Sequence, residues 1–232
     1  MFRALAAWSV HAYTALGAVL GLLALEATAR GDFKTAFLWM AAATFIDSTD
    51  GLLARAAHVK TVLPQFDGAL LDNIVDYLDY VIVPLFLALR APDFLPAGDA
   101  ALWAVSLPAL ASCYGFSHAE AKTPDHFFTG FPSYWNIVVF YLFVLGTPAW
   151  LNAAVLVFLA AMVFVPIRYM YPSRNPVARV RMWTLGSVWA LMMVWLMYQF
   201  PQPSRIVAVL SLFFPAYYVW LSLKLHVQKQ AA

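Results

Sequence analysis

A chain of 232 residues with 63% hydrophobic and only 11% charged side chains departs too far from the composition of soluble domains, about 45–50% apolar and about 25% charged, to be a water-soluble globule. Its net charge of +2, with no run of Lys or Arg, gives no sign of a nucleic-acid partner. The single cysteine, Cys113, excludes an internal disulfide.

The apolar residues fall in blocks of membrane-spanning length, since about 20 helical residues cross the hydrocarbon layer. In chain order, helices are expected over 8–28, 33–56, 67–89, 98–118, 133–146, 149–168, 181–199 and 204–225. The breaks carry turn chemistry: Arg30-Gly31-Asp32, Ala91-Pro92-Asp93, Gly146-Thr147-Pro148, Pro172-Ser173-Arg174-Asn175-Pro176 and Pro201-Gln202-Pro203. The first block, with Arg3 ahead of it and Ala27-Thr28-Ala29 at its end, resembles a secretory signal. His11 and Tyr13 interrupt it and further spans follow, so it reads as an uncleaved helix. The fold class expected is an all-α integral membrane protein, a polytopic bundle of about eight transmembrane helices forming a single domain over 1–232.

Loop charges orient this bundle. With the N-terminus on one side, that side collects Arg3, Arg55, Lys60, Lys122, Arg168, Arg174, Arg179, Arg181, Lys224 and Lys229. The opposite side holds Arg30, Lys34, Arg90 and Arg205. The excess makes the first side, with both termini and the loop between the second and third helices, cytoplasmic.

Of 12 acidic residues, half lie between positions 47 and 79: Asp47, Asp50, Asp67, Asp72, Asp76 and Asp79. The spacings of Asp47 with Asp50 and of Asp72 with Asp76 put each pair on one helix face, with Cβ atoms about 5–6 Å apart. A short connection makes the two helices antiparallel neighbours, so both pairs sit near one membrane surface. A lone aspartate at a span end caps a helix or meets solvent. Each carboxylate at a helix centre costs about 2.5–3.5 kcal/mol on the insertion scale, and neighbouring carboxylates repel. A divalent cation offsets both penalties. Oxygen-only ligands select hard ions such as Mg²⁺ or Mn²⁺, which bridge substrate phosphates, and four carboxylates suit two ions flanking a phosphoryl displacement.

Between the acid pairs lie Gly51, Ala54 and Arg55, and Gly68 precedes Asp72 by one turn. Small residues let a helix or a flat nucleotide approach the backbone, and the planar guanidinium of Arg55 suits a phosphate. Helix packing alone also explains a glycine, and topology alone explains the arginine.

The run Asp47-x2-Asp50-Gly51-x2-Ala54-Arg55-x12-Gly68-x3-Asp72-x3-Asp76 resembles the signature of the CDP-alcohol phosphatidyltransferase family, with all eight fixed positions matched. The interval between Arg55 and Gly68 is twelve residues, where about eight is usual in the family. That longer interval, His11-Ala12-Tyr13-Thr14-Ala15-Leu16-Gly17, and Phe128-Thr129-Gly130-Phe131-Pro132-Ser133-Tyr134-Trp135-Asn136 are similar to the family's bacterial choline-using branch, the phosphatidylcholine synthases. Where the family tends to carry an asparagine near the start of the first helix, this chain carries His11.

The resemblance implies transfer of a phosphatidyl group from CDP-diacylglycerol to choline, releasing CMP. Asp47, Asp50, Asp72 and Asp76 would hold two divalent cations, Mn²⁺ or Mg²⁺. Asp76 would be the general base, and Gly51, Ala54, Arg55 and Gly68 would seat the cytidine and phosphates. It further implies a bacterial inner-membrane location, an active site at the cytoplasmic side and a homodimer. Choline is a quaternary ammonium, which aromatic faces bind. Tyr134, Trp135 and Tyr114 are candidates, with Asp79 or Glu120 as counter-charge, although 9 Trp, 11 Tyr and 18 Phe make any single aromatic residue a weak signal. Arg168, Arg174, Arg179 and Arg181 set topology or draw in the anionic lipid.

Three other readings use the same residues. A sister enzyme would take serine, inositol or glycerol phosphate. An intramembrane prenyltransferase also uses aspartates and Mg²⁺, yet lacks the Asp-Gly-x2-Ala-Arg unit. A cation transporter would line an ion path with intramembrane acids, and outside the two acidic helices acids lie only at or beyond span ends, Glu26, Asp99 and Glu120 among them.

Overall fold

The computed structural model describes residues 2–171, 175 and 177–230. Arg174 and most of the expected turn Pro172-Ser173-Arg174-Asn175-Pro176 therefore lie outside the described residues. The chain divides into two compact units, Met1–Ala91 and Pro92–Ala232.

The first unit starts with helix α1 (Phe2–Ala29), which begins six residues earlier than expected, and α2 (Phe33–Ala56). These two helices form the main packing of the unit. The buried residues of α1 are Ala7, Val10, His11, Thr14, Gly17, Gly21, Ala24, Ala27 and Thr28, a face made mostly of small side chains. Leu16, Val19, Leu22 and Leu23 point outward instead. Small-inside and large-outside is the pattern of helices that pack closely in lipid, where no hydrophobic effect drives large residues inward. Asp32 caps α2 by accepting the Thr35 N–H at 3.0 Å.

A single turn, α3 (Val59–Val62), sits in the connection that follows. Asp67 then caps α4 (Gly68–Asp76), its Oδ1 accepting the N–H groups of Ala69 and Leu70 at 3.0 Å. A π-helical turn, Tyr77–Ile82, leads without a break into α5 (Val83–Arg90). The three together fill the segment expected as one helix over 67–89. The widened turn accommodates one extra residue, a departure from regular helix that recurs at functional sites.

The second unit contains α6 (Asp99–Ser117), strand β1 (Phe127–Thr129), α7 (Trp135–Leu145), α8 (Ala149–Met162), strand β2 (Arg168–Met170), α9 (Arg179–Tyr198), α10 (Arg205–Ser211) and α11 (Phe213–Gln230). Helix α6 packs on α8, α10 on α7 and α9, and α11 on β2. The strands pair antiparallel, with Phe127 opposite Met170, Phe128 opposite Tyr169 and Thr129 opposite Arg168. This pairing corrects two sequence expectations. The architecture is mostly helical rather than purely so, and the helix expected over 149–168 ends at Met162. Pro166 disfavours helical backbone at the residue before it, and Arg168 is taken up by β1.

Buried polar groups in this unit are largely paired with one another. The indole N–H of Trp135 donates to Ser112 Oγ at 2.8 Å, and the Ser112 and Ser133 hydroxyls lie 2.9 Å apart. Tyr141 meets Ser211 at 2.8 Å and accepts the Trp189 N–H at 2.8 Å. Asn152, fully buried, donates to the carbonyl of Phe94 at 2.8 Å. Where no water is at hand such pairing is obligatory.

Helices α1, α6 and α9 and the stretch Arg205–Lys229 are long and apolar enough to cross a membrane, and α7 and α8 are shorter apolar helices. Large apolar side chains face outward along them, among them Leu191 at 72%, Ile206 at 74% and Trp150 at 71% exposure. A water-soluble protein does not leave so many in the open. The chain is a membrane protein.

Candidate metal and substrate site

Helix α2 lays Asp47 and Asp50 on one face, and α4 carries Asp72. Asp47, Asp50 and Asp72 each present a carboxylate oxygen, and these atoms lie within 4.8 Å of one another. Asp50 is 6% exposed, while Asp47 and Asp72 are half-buried. Three carboxylates gathered this closely repel unless a cation lies among them. The donors are all oxygen, which fits a hard divalent ion. The cluster can hold a metal.

Hydroxyl groups hold two of these carboxylates. Thr14 Oγ1 of α1 donates to Asp50 Oδ2 at 2.7 Å. Tyr80 OH, in the π-helical turn, donates to Asp47 Oδ2 at 2.6 Å. One residue from Asp50, Thr49 meets the Tyr13 hydroxyl at 2.9 Å. Sequence reasoning missed both donors to the carboxylates. Tyr80 was findable in principle, since it continues the four-residue spacing of Gly68, Asp72 and Asp76. Thr14 was not, because only tertiary packing brings it to Asp50.

The other sequence-derived residues divide by environment. Asp76 ends α4 one turn beyond Asp72 and is half-buried. Gly51 is half-buried, and a Cβ there would sit 3.3 Å from a guanidinium nitrogen of Arg55, itself exposed. Ala54 packs against the apolar cluster of Ala7, Val10, Val59 and Leu63. Gly68 faces the His11 imidazole so closely that a Cβ would come within 2.6 Å of its Cε1. His11 is buried, its Nε2 has no hydrogen-bond partner, and its ring centroid lies 4.3 Å from that of Phe66. The small residue at position 68 thus makes room for a ring of α1. Of the six clustered acids, Asp67 is a helix cap.

Asp79, considered as a counter-charge for choline, is 6% exposed. It presses on Gly17 and Gly21 of α1, and its Oδ1 has no hydrogen-bond partner. Glu120, the other candidate, is exposed. It borders an open cavity of about 570 Å³ lined by Tyr114, Ser117, His118, Ala119 and Glu120. The Tyr114 ring packs with His118 at 5.2 Å and with Phe164 at 5.0 Å. Tyr134 belongs to another aromatic group, with Phe128 at 6.5 Å and Tyr218 at 6.3 Å. Trp135, the third ring candidate, is 0% exposed, its N–H is held by Ser112 and its ring lies edge-on to Phe131, so it sits in the core. A uniformly apolar α7 gives no periodicity from which its inward face can be read. Arg168 donates to Asp125 at 3.0 Å, an ion pair that Lys229 also joins.

Comparison with known proteins places these features in a family. The profile of CDP-alcohol phosphatidyltransferase matches residues 7–120, the stretch that holds every clustered carboxylate. A phosphatidylcholine synthase of Legionella pneumophila is 41% identical over 223 residues, covering 94% of this chain and 87% of the relative. That of Legionella bozemanae is 37% identical over 88% of this chain and 97% of its own length. The Pseudomonas aeruginosa enzyme of the same name is 36% identical over 94% of this chain and 90% of its own. With likeness sustained along nearly its full length, the chain belongs to the CDP-alcohol phosphatidyltransferase family.

Proposed function

We propose that this chain makes phosphatidylcholine, transferring the phosphatidyl group of CDP-diacylglycerol to choline and releasing CMP. The observation that carries the reading is the convergence of Asp47, Asp50 and Asp72 from two helices of a membrane protein, joined to relatives named phosphatidylcholine synthase over most of the chain. The reading takes residues 1–232 as one membrane domain of about eight spans, with both termini and the site on the cytoplasmic side of a bacterial inner membrane. The active form is a homodimer.

Asp47, Asp50 and Asp72, with Asp76 one turn on, are the ligands of two divalent cations, Mn²⁺ or Mg²⁺. When bound, such ions supply neutralisation of the pyrophosphate and of the charge that develops as its bridge breaks. Arg55 grips a phosphate with its planar donor fork, and Gly51 and Ala54 leave space for the cytidine. Asp76 takes the proton from the choline hydroxyl. The choline oxygen then forms a bond to the phosphorus bearing diacylglycerol, and the bond from that phosphorus to the bridging oxygen breaks, so the bridging oxygen leaves with CMP. Asp76 lies outside the convergent set of three, which favours a base whose basicity a metal does not fully suppress. For the quaternary ammonium, the cavity at Tyr114 combines an aromatic face with the Glu120 carboxylate. Tyr134 is the second ring candidate.

The test is the purified full-length chain with CDP-diacylglycerol, Mn²⁺ and a panel of alcohols, read as CMP release and lipid product. Choline is expected to support turnover, and a chelator to abolish it. Serine outcompeting choline overturns the acceptor assignment, and turnover that persists in excess chelator overturns the metal.

A further inference from the structure

We infer that Tyr80 and Thr14 are positioning residues of the metal site, two hydroxyl donors that fix the carboxylates of Asp47 and Asp50 in the orientation a cation needs. The inference rests on the metal reading above and extends it to residues outside the family signature.

The geometry is specific. Each residue contributes its hydroxyl to one oxygen of one carboxylate, at 2.6 Å for Tyr80 to Asp47 and 2.7 Å for Thr14 to Asp50. Distances of this order are those of charge-assisted O–H···O⁻ bonds, about 2.5–2.7 Å. The donors arrive from two different helical segments, α1 and the π-helical turn, so the two ligands on α2 are braced from separate neighbours. Tyr80 is 9% and Thr14 7% exposed, so water does not compete for either bond. An aspartate has two side-chain torsions to lose on binding an ion. A carboxylate already held in one rotamer gives up less freedom when the ion arrives, and hydroxyl partners keep the repelling anions aligned in the meantime. Outer partners of this kind typically change metal affinity by 10–100-fold when removed. Tyr80 serves through the π-helical turn that contains it. Thr14 also accounts for part of what α1 contributes, because it meets Asp50 while Gly17, about one turn on, lies against Val75 and Asp79.

The deciding measurement is Mn²⁺ affinity of the full-length chain in detergent, followed by the electron paramagnetic resonance of free Mn²⁺ and requiring no turnover. Tyr80→Phe and Thr14→Val are expected to raise the Mn²⁺ dissociation constant about 10–100-fold, whereas Thr14→Ser stays within about threefold of wild type. The Mn²⁺ concentration for half-maximal CMP release moves in parallel, with the KM for choline unchanged. Wild-type affinity in both Tyr80→Phe and Thr14→Val overturns the inference, as does equal weakening in Thr14→Ser and Thr14→Val. If Tyr80→Phe does not fold, the two threonine variants still decide. A wild-type chain that binds no Mn²⁺ instead overturns the metal reading on which the inference stands.

Discussion

The two compact units treat buried polarity in opposite ways. In the second unit the buried groups are neutral and close on one another: Trp135 on Ser112 and Ser133, Tyr141 on Ser211 and Trp189, Asn152 on a backbone carbonyl. In the first unit the buried polar side chains include two acids: Asp50, within ligand distance of half-buried Asp47 and Asp72, and Asp79, whose Oδ1, like His11 Nε2, is buried with no partner. Neutral pairs stabilise a bundle in lipid, and the one buried side-chain atom left without a partner among the described residues of this second unit, the Tyr218 hydroxyl, is neutral too. Converging acids cost free energy that their own helices do not return. A chain that tolerates that cost in one place and avoids it elsewhere has, in that place, a cluster that can hold a metal.

The strongest way to break this comparison is Asp76→Asn, which removes the assigned base while keeping its shape. Turnover is expected to fall by about 10²–10⁴-fold, the usual contribution of a general base. Mn²⁺ binding by Asp47, Asp50 and Asp72 is expected to survive, weakened by the loss of one ligand, in titrations of the same protein. Retained CMP release would remove Asp76 from the chemistry. Loss of all Mn²⁺ binding would make it a ligand first and a base second.

On the other side of the comparison stands Trp135→Phe. It deletes the N–H to Ser112 from a fully buried ring and leaves the two serine hydroxyls to each other. The lost hydrogen bond and the cavity left by the smaller ring are together expected to cost about 1–3 kcal/mol of stability, read as a lower unfolding midpoint in detergent, with the KM for choline unchanged. A raised KM for choline with an unchanged midpoint would place Trp135 at the acceptor site, as its position in the sequence suggests.

The burial of Trp135 shows where the sequence stops being informative. The acidic pairs were legible because helical periodicity is local: spacings of three and four put Asp47 with Asp50 and Asp72 with Asp76 on shared faces whatever the tertiary structure. The helix positions were legible as apolar blocks between turn residues. Contacts between segments far apart in sequence were not, which hid Thr14 beneath Asp50, the His11 ring over Gly68, and the pairing of Phe127–Thr129 with Arg168–Met170 that shortens α8. Within α7 nearly every position is apolar, so no pattern separates Trp135, which is buried, from residues facing lipid.

The smallest expected effect concerns acids that resemble the cluster in type but not in setting. Asp32 is exposed and caps α2, accepting the Thr35 N–H at 3.0 Å. Its side-chain and backbone bonds with Thr35 hold its carboxyl below the usual carboxylate range, with Arg30 and Lys34 adding to the effect and its slight burial opposing it. A lowered folded-state value means the contribution is complete above the pKa of the unfolded chain and fades as pH falls through the folded one. Asp32→Asn keeps the capping oxygen and is expected to leave both the unfolding midpoint and CMP release near wild type at neutral pH. Asp32→Ala is expected to cost about 0.5–2 kcal/mol at that pH, a difference that shrinks in acid as the wild-type cap is protonated. Asp50→Asn, one helix length away on α2, is expected to lose Mn²⁺ binding and turnover instead. If Asp32→Asn abolished turnover as Asp50→Asn does, sensitivity to neutralising an acid would run through the whole first unit, and proximity to Asp47 and Asp72 would no longer be what sets the metal ligands apart.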